Sequence, residues 1–185
     1  VTNGDFAAWT YVEADDETNV PEYRTVGLDT EATIGFGSLI TQPEDFSDVL
    51  WAQAAGDAVG GSTTMPDGST VTDNGIVGDS DDDDHSVYTT ILNALFTPDT
   101  SYTLSVYAKK GDQDWLYLSF QTIAGVWPVA YFNLDAGVVG SDTVDDLGIE
   151  DVGGGWYRCW ITHDIGSGAS DCIPWIAAAE AQPQT

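Results

Sequence analysis

Residues 102–134 read YTLSVYAKKGDQDWLYLSFQTIAGVWPVAYFNL, three runs in which apolar and polar residues alternate. Side chains two apart share a face of a strand, so the alternation sorts core from surface. In Trp115 to Gln121 one set is Leu116, Leu118 and Phe120, and the other is Trp115, Tyr117, Ser119 and Gln121. The first set is the core. In Val129 to Leu134, Ala130, Phe132 and Leu134 turn inward while Tyr131 and Asn133 turn outward. The outward set from Tyr102 to Lys109 is Thr103, Ser105, Tyr107 and Lys109. At Trp156 to Thr162 the same rule turns Tyr157, Cys159 and Ile161 inward and leaves Trp156, Arg158, Trp160 and Thr162 opposite.

Working outward from these runs, Val87 to Leu92 and Cys172 to Ala177 read as further strands. Turns fall at Pro98-Asp99, Gly111-Asp112, Asp135-Ala136-Gly137 and Gly153-Gly154-Gly155. Helical periodicity is nearly absent. The Ala177 to Ala181 tract is too short, and Glu44 to Gln53 has room for a turn or two. Short β-rich runs punctuated by Gly, Thr and Asp are the pattern of a sandwich or barrel. The 185 residues suit one domain with a real core. Residues 1–38 read as an irregular N-terminal arm or edge-completing segment, with 39–185 as the folded domain and Gly35-Phe-Gly-Ser38 as the junction.

The charge is lopsided: 31 acidic residues face four basic ones, Arg24, Lys109, Lys110 and Arg158, for a formal net charge of -27. Binding a nucleic-acid backbone or an anionic membrane needs clustered Lys and Arg, so neither is an expected partner. The excess suits solubility in a salty medium, where screening over roughly 8 Å tames self-repulsion. No apolar run approaches the ~20 residues that span a bilayer, and Val-Thr-Asn-Gly-Asp5 is not a signal peptide. Without an initiator Met, the chain reads as processed or as a piece of a longer polypeptide.

Catalytic chemistry finds little material. His85 and His163 are the two histidines, and there is no His-Glu-x-x-His, no Gly-x-Ser-x-Gly and no phosphate loop ending in Lys. Catalysis would rest on carboxylates, and among 31 of them the sequence selects no acid–base pair. The expectation is a non-enzyme. Asp79, Asp81, Asp82, Asp83 and Asp84 offer oxygen ligands, and Ca²⁺ takes roughly six to eight of these in irregular geometry. A structural Ca²⁺ is one reading of this run and a solvated acidic loop the other. No other cofactor is expected. Cys159 and Cys172 lie symmetrically about a turn near Ile165-Gly166. Antiparallel pairing across that turn would set them face to face for a disulfide, and two buried free thiols are the alternative.

Four strands each place an aromatic on a polar, outward face: Tyr107, Tyr117, Tyr131 and Trp160. Rings flanked by Arg158 and Asn133 suit a sugar, whose axial C–H groups stack on the ring while its hydroxyls take hydrogen bonds. Alternatively the arm or another subunit covers these rings, making them a second core.

From Leu39 to Ala178 the chain resembles the carbohydrate-binding-module-like jelly-roll domain of bacteriophage tail and virion proteins. The resemblance rests on Leu39-Ile-Thr-Gln-Pro-Glu-Asp-Phe-Ser47 with Trp51, Pro66-Asp67-Gly68-Ser-Thr70, His85-Ser-Val-Tyr88 and Tyr102-Thr-Leu-Ser-Val-Tyr-Ala-Lys109. It continues through Trp115-Leu-Tyr-Leu118, Ala130-Tyr-Phe-Asn-Leu-Asp-Ala-Gly137, Ile149-Glu-Asp-Val-Gly153 and Gly155-Trp-Tyr-Arg-Cys159. The family usually closes with a strand of the Tyr-x-Trp-Gly-Ala-Gln-Leu-Glu type, whereas this chain ends at Gln182-Pro-Gln-Thr185. The closing strand then comes from further chain, from residues 1–38 or from a neighbouring subunit. The resemblance implies a jelly-roll-type antiparallel β-sandwich at the virion surface, as tail fibre, tail tip or capsid decoration. Its partners would be a host cell-surface glycan and other virion proteins, in a homo-oligomer. Domains of this kind also serve as structural cement or adaptor pieces, or as binding modules of polysaccharide-degrading enzymes, and both remain alternatives.

Overall fold

The computed structural model describes residues 11–14, 40, 46–53, 58–64, 68, 70–77, 85–91, 97, 99–111, 113–122, 125, 127–167 and 171–179. Among them are twelve strands and no helix: β1 (Tyr11–Ala14), β2 (Ala52–Gln53), β3 (Ala58–Thr64), β4 (Thr70–Val77), β5 (His85–Tyr88), β6 (Ser101–Lys109), β7 (Trp115–Thr122), β8 (Val129–Asn133), β9 (Val138–Asp142), β10 (Asp146–Gly153), β11 (Trp156–Asp164) and β12 (Cys172–Ala179). A four-stranded sheet runs β1-β6-β11-β10 and a six-stranded sheet β2-β5-β12-β7-β8-β9, every pairing antiparallel. The two pack face to face as a β-sandwich, and β3 and β4 form a separate antiparallel pair.

The alternating runs explain the layers. Leu104 and Val106 of β6 and Cys159 and Ile161 of β11 turn inward from the four-stranded sheet. They meet Leu118 and Phe120 of β7, Ala130 and Phe132 of β8, Ile176 of β12 and Val87 of β5. Each large apolar side chain fully buried this way contributes about 1.5–3 kcal/mol relative to leaving it exposed. Phe46 and Trp51 join the same core in an edge-to-face contact, with centroids 4.8 Å apart.

The β8–β9 turn is held by Asn133, whose Oδ1 accepts the N–H groups of Asp135 at 3.0 Å and Ala136 at 2.8 Å. Gly137 closes it at φ +66, and a Cβ there would sit 2.9 Å from the Tyr157 ring, so both the backbone and the close approach require glycine. Pro174 lies in β12, between β5 and β7, and lacks an N–H. It accepts from Thr89 N–H at 3.3 Å and cannot return the bond, which fits the end of β5 at Tyr88.

Several expectations are corrected. The strand expected at Val87 to Leu92 begins at His85 and ends at Tyr88, with Ile91 bridging singly to Cys172. The strands β3, β4, β9 and β10, rich in Gly, Ser, Thr and Asp, lack the apolar alternation that would mark them. Trp156, expected outward, alternates with Arg158 and Trp160 yet is only 2% exposed, and its Nε1–H donates to Thr64 O, at the end of β3, at 3.0 Å. Cys159 and Cys172 do not flank a hairpin: β11 and β12 belong to different sheets, and both thiols are free and buried. Burial pushes the Cys172 thiol up to about 12 and the Cys159 thiol higher still.

The Asp79, Asp81, Asp82, Asp83, Asp84 run and Arg24 lie outside the described residues. So does the N-terminal arm apart from Tyr11–Ala14, which pairs with β6 from Tyr11 opposite Ser105 to Ala14 opposite Tyr102.

Candidate functional site

The outward aromatics fall on two opposite surfaces of the sandwich. Tyr117 of β7 and Tyr131 of β8 are cross-strand partners on the six-stranded sheet, their rings edge to face at 5.2 Å. Tyr107 of β6 and Arg158 and Trp160 of β11 belong to the four-stranded sheet, with Tyr107 directly opposite Arg158. The six residues Tyr107, Tyr117, Tyr131, Asn133, Arg158 and Trp160 therefore do not converge on one ligand. The alternation holds within each strand, but β6 and β11 lie in one sheet and β7 and β8 in the other.

On the four-stranded side Trp160 is engaged within the protein. Its indole lies against Gly148 of the neighbouring β10, so closely that a Cβ at that position would be 2.0 Å from Cζ2. The Arg158 guanidinium sits over the same ring, Cζ 5.1 Å from the centroid, a cation–π contact. Thr103 and Thr162 hydroxyls hydrogen-bond at 2.8 Å beside it. Glu150 stands opposite Arg158 across the β10–β11 ladder. On this surface Trp160 is thus held between Gly148 and Arg158, and Trp156 is hydrogen-bonded to the end of β3.

The six-stranded side is different. Inward Cys172, Pro174 and Ile176 leave Ile173, Trp175 and Ala177 of β12 outward, and inward Val87 leaves Ser86 and Tyr88 of β5 outward. Register then builds rows across the sheet. Tyr88, Trp175, Ser119 and Val129 make one row; Ser86, Ala177, Tyr117 and Tyr131 the next; Ala179, Trp115 and Asn133 the third. Tyr88 and Trp175 stack at 4.6 Å with planes 6° apart. Trp127 precedes Val129 by two residues, with Pro128 buried between them; alternation carried back from β8 sets it on the outward side, and it is 46% exposed.

Six aromatic rings thus share this surface: Tyr88, Trp115, Tyr117, Trp127, Tyr131 and Trp175. Between them Ser86, Ser119 and Ala177 form a low, buried floor, where Ser119 Oγ donates to Pro128 O at 2.9 Å. Strand spacing places Tyr88 and Tyr131 about 14 Å apart across the sheet, and Trp127 and Trp115 roughly 20 Å apart along it. Tyr88, Trp115, Trp127 and Trp175 are the members that sequence reasoning did not select. The signal was available, because the same alternation applied to Cys172 to Ala177 turns Trp175 outward.

Among the described residues no Lys or Arg lies on this surface. Lys109 and Arg158 point from the other sheet, and Lys110 is held by Asp114 and Asp135, each at 2.7 Å. Hydrogen bonds to Asp114 and then Asp135 raise Lys110 to about 12. Asn133, expected as a ligand contact, spends its carboxamide oxygen on the β8–β9 turn.

Neither histidine joins the aromatic surface. His85 shares the face of Val87 on β5, and His163 that of Ile161 on β11, where its Nδ1 lies 3.2 Å from Asp145 Oδ2. Among the described residues no three His, Cys, Asp or Glu side chains cluster as metal ligands, and no helix is long and apolar enough to cross a membrane. No protein-family model matches the sequence, and no curated protein is similar to it.

Proposed function

We propose that the chain is a non-catalytic carbohydrate-binding module of a bacteriophage virion surface protein, whose ligand is a glycan of the host cell surface. The observation that carries the reading is the six-ring surface on the six-stranded sheet. Five of these rings are half-buried and Trp127 is exposed, an apolar area that a partner would cover, and sugar rings present flat C–H faces that stack on such rings. The virion setting rests on the sequence resemblance from Leu39 to Ala178, as does the jelly-roll form of the sandwich. Relative to the set read from sequence, Tyr117 and Tyr131 stay in the proposed site. Trp175 replaces Trp160 as the principal anchor.

A second reading is favoured by a separate observation. Val49 (94% exposed) and Leu50 beside β2, and Val138 and Val139 on β9, put bare apolar side chains at both edges of the same sheet. A structural adaptor packed between virion proteins would use them, and a polysaccharide would not. A glycan array on the chain beside its Trp175→Ala variant separates the two. Binding that the variant loses supports the module; no binding to any host-derived polysaccharide supports the adaptor.

A further inference from the structure

We infer that the six-ring surface takes a neutral polysaccharide along its length, several sugar rings at once, and rejects acidic glycans. The inference rests on the carbohydrate-binding reading and adds the ligand's charge and extent.

Charge is decided by where the cations are. Of the four in the chain, Lys109 and Arg158 stand on the opposite sheet face and Lys110 is paired with Asp114 and Asp135. The fourth, Arg24, lies outside the described residues. An acidic glycan would approach a chain of net charge -27 without a described counter-charge on the surface that receives it. A neutral sugar meets no such penalty.

Extent is decided by the layout. The stacked Tyr88–Trp175 pair and the Tyr117–Tyr131 pair are offset by one row, with Ser86, Ala177 and Ser119 low between them. Trp127 and Trp115 continue the rings beyond either row. A surface of roughly 14 by 20 Å, with aromatic rings spread over all of it, exceeds the footprint of one sugar. Stacking area spans the whole surface, whereas the Ser119 hydroxyl is spent on Pro128 and the Asn133 carboxamide oxygen on its own turn. Recognition is therefore tolerant of sugar identity and dependent on the number of rings engaged.

The test is affinity electrophoresis of the chain in gels containing a neutral galactomannan or β-glucan, or acidic polygalacturonate or hyaluronate. Calorimetry with neutral di- to hexasaccharides accompanies it. The expected result is retardation by neutral polymers alone, and a hexasaccharide bound at least about ten-fold more tightly than a disaccharide. Trp127→Ala, a change at an exposed residue outside the strands, should weaken the polymer and hexasaccharide while sparing the disaccharide. Preferential retardation by the acidic polymers, or equal affinity for di- and hexasaccharide, overturns the inference and leaves the module reading standing. Retardation by no polymer overturns both. A dimer in sedimentation that Trp175→Ala dissociates likewise overturns both, since a second copy would then be the occupant.

Discussion

Replacing Gly148 by alanine should destabilise the protein even though alanine is the better strand residue. Gly148 has no left-handed φ, so its backbone accepts a side chain, and relief of glycine's extra chain entropy would by itself stabilise by roughly 0.5–1 kcal/mol. The obstacle is Trp160: the new methyl would lie 2.0 Å from Cζ2, 2.3 Å from Cη2 and 2.7 Å from Cε2, distances no rotation of a methyl relieves. The whole indole must leave. Overpacking of this kind costs about 1–3 kcal/mol, and the Arg158 contact over the ring forfeits about 0.5–1 kcal/mol more. The net expectation is a loss of about 1–3 kcal/mol, which at this chain length lowers the melting temperature by roughly 3–10 °C. Thermal unfolding of the native chain, Gly148→Ala, Trp160→Ala and the double variant forms the cycle. With Trp160 removed, Gly148→Ala should become neutral or stabilising. A Gly148→Ala variant that melts at or above the native chain with Trp160 present would refute the packing derived for this face.

Asn133→Ala removes the acceptor of two turn N–H groups and should cost about 1–2 kcal/mol of stability. Asn133→Asp, which keeps the acceptor, should lose much less in the same melts. The buried thiols make stability fall in alkali. Their folded pKa values stand above the ordinary 9.0, with Cys172 at about 12, so their stabilising contribution is complete below pH 9 and is lost as pH rises from there through 12. Each contributes a slope of up to ~1.4 kcal/mol per pH unit, so the difference in melting temperature between the native chain and Cys172→Ala should shift against the native chain between pH 9 and 11. A difference that stays constant over that interval would refute it. Finally, a net charge of -27 predicts a higher melting temperature in seawater-like salt than in low salt, with divalent ions absent from both. An unchanged midpoint removes the self-repulsion argument.

The β-sandwich was legible because its central strands announce themselves. Leu116, Leu118 and Phe120, or Ala130 and Phe132, alternate without interruption, and the structure buries each of them. The strands missed are those whose sequence carries little apolar contrast. Val138–Asp142 ends in Gly-Ser-Asp, and Asp146–Gly153 spreads two glycines and three acids over eight residues, so their pairing follows from neighbours and not from their own pattern. Sheet membership was the larger gap. Alternation fixes which side of a strand a residue occupies, but whether Trp160 and Tyr117 share a surface depends on long-range connections that no local pattern encodes. The cysteine pair failed for the same reason: symmetry about Ile165-Gly166 suggests a hairpin, while the chain crosses from one sheet to the other there. The burial of Trp156 is not legible locally, because its hydrogen-bond partner Thr64 lies 92 residues earlier.

The most direct measurement compares Trp175→Ala with Trp160→Ala in binding to one neutral polysaccharide, after near-ultraviolet circular dichroism confirms that both variants are folded. Trp175 lies on the six-ring surface and Trp160 on the opposite sheet, so the two substitutions separate the faces. Loss of a stacking anchor costs about 1–3 kcal/mol, roughly 5- to 150-fold in Kd. The expected result is that loss for Trp175→Ala and a Kd unchanged within error for Trp160→Ala. Binding abolished by Trp160→Ala and retained by Trp175→Ala would contradict the assignment and move the site to the four-stranded sheet.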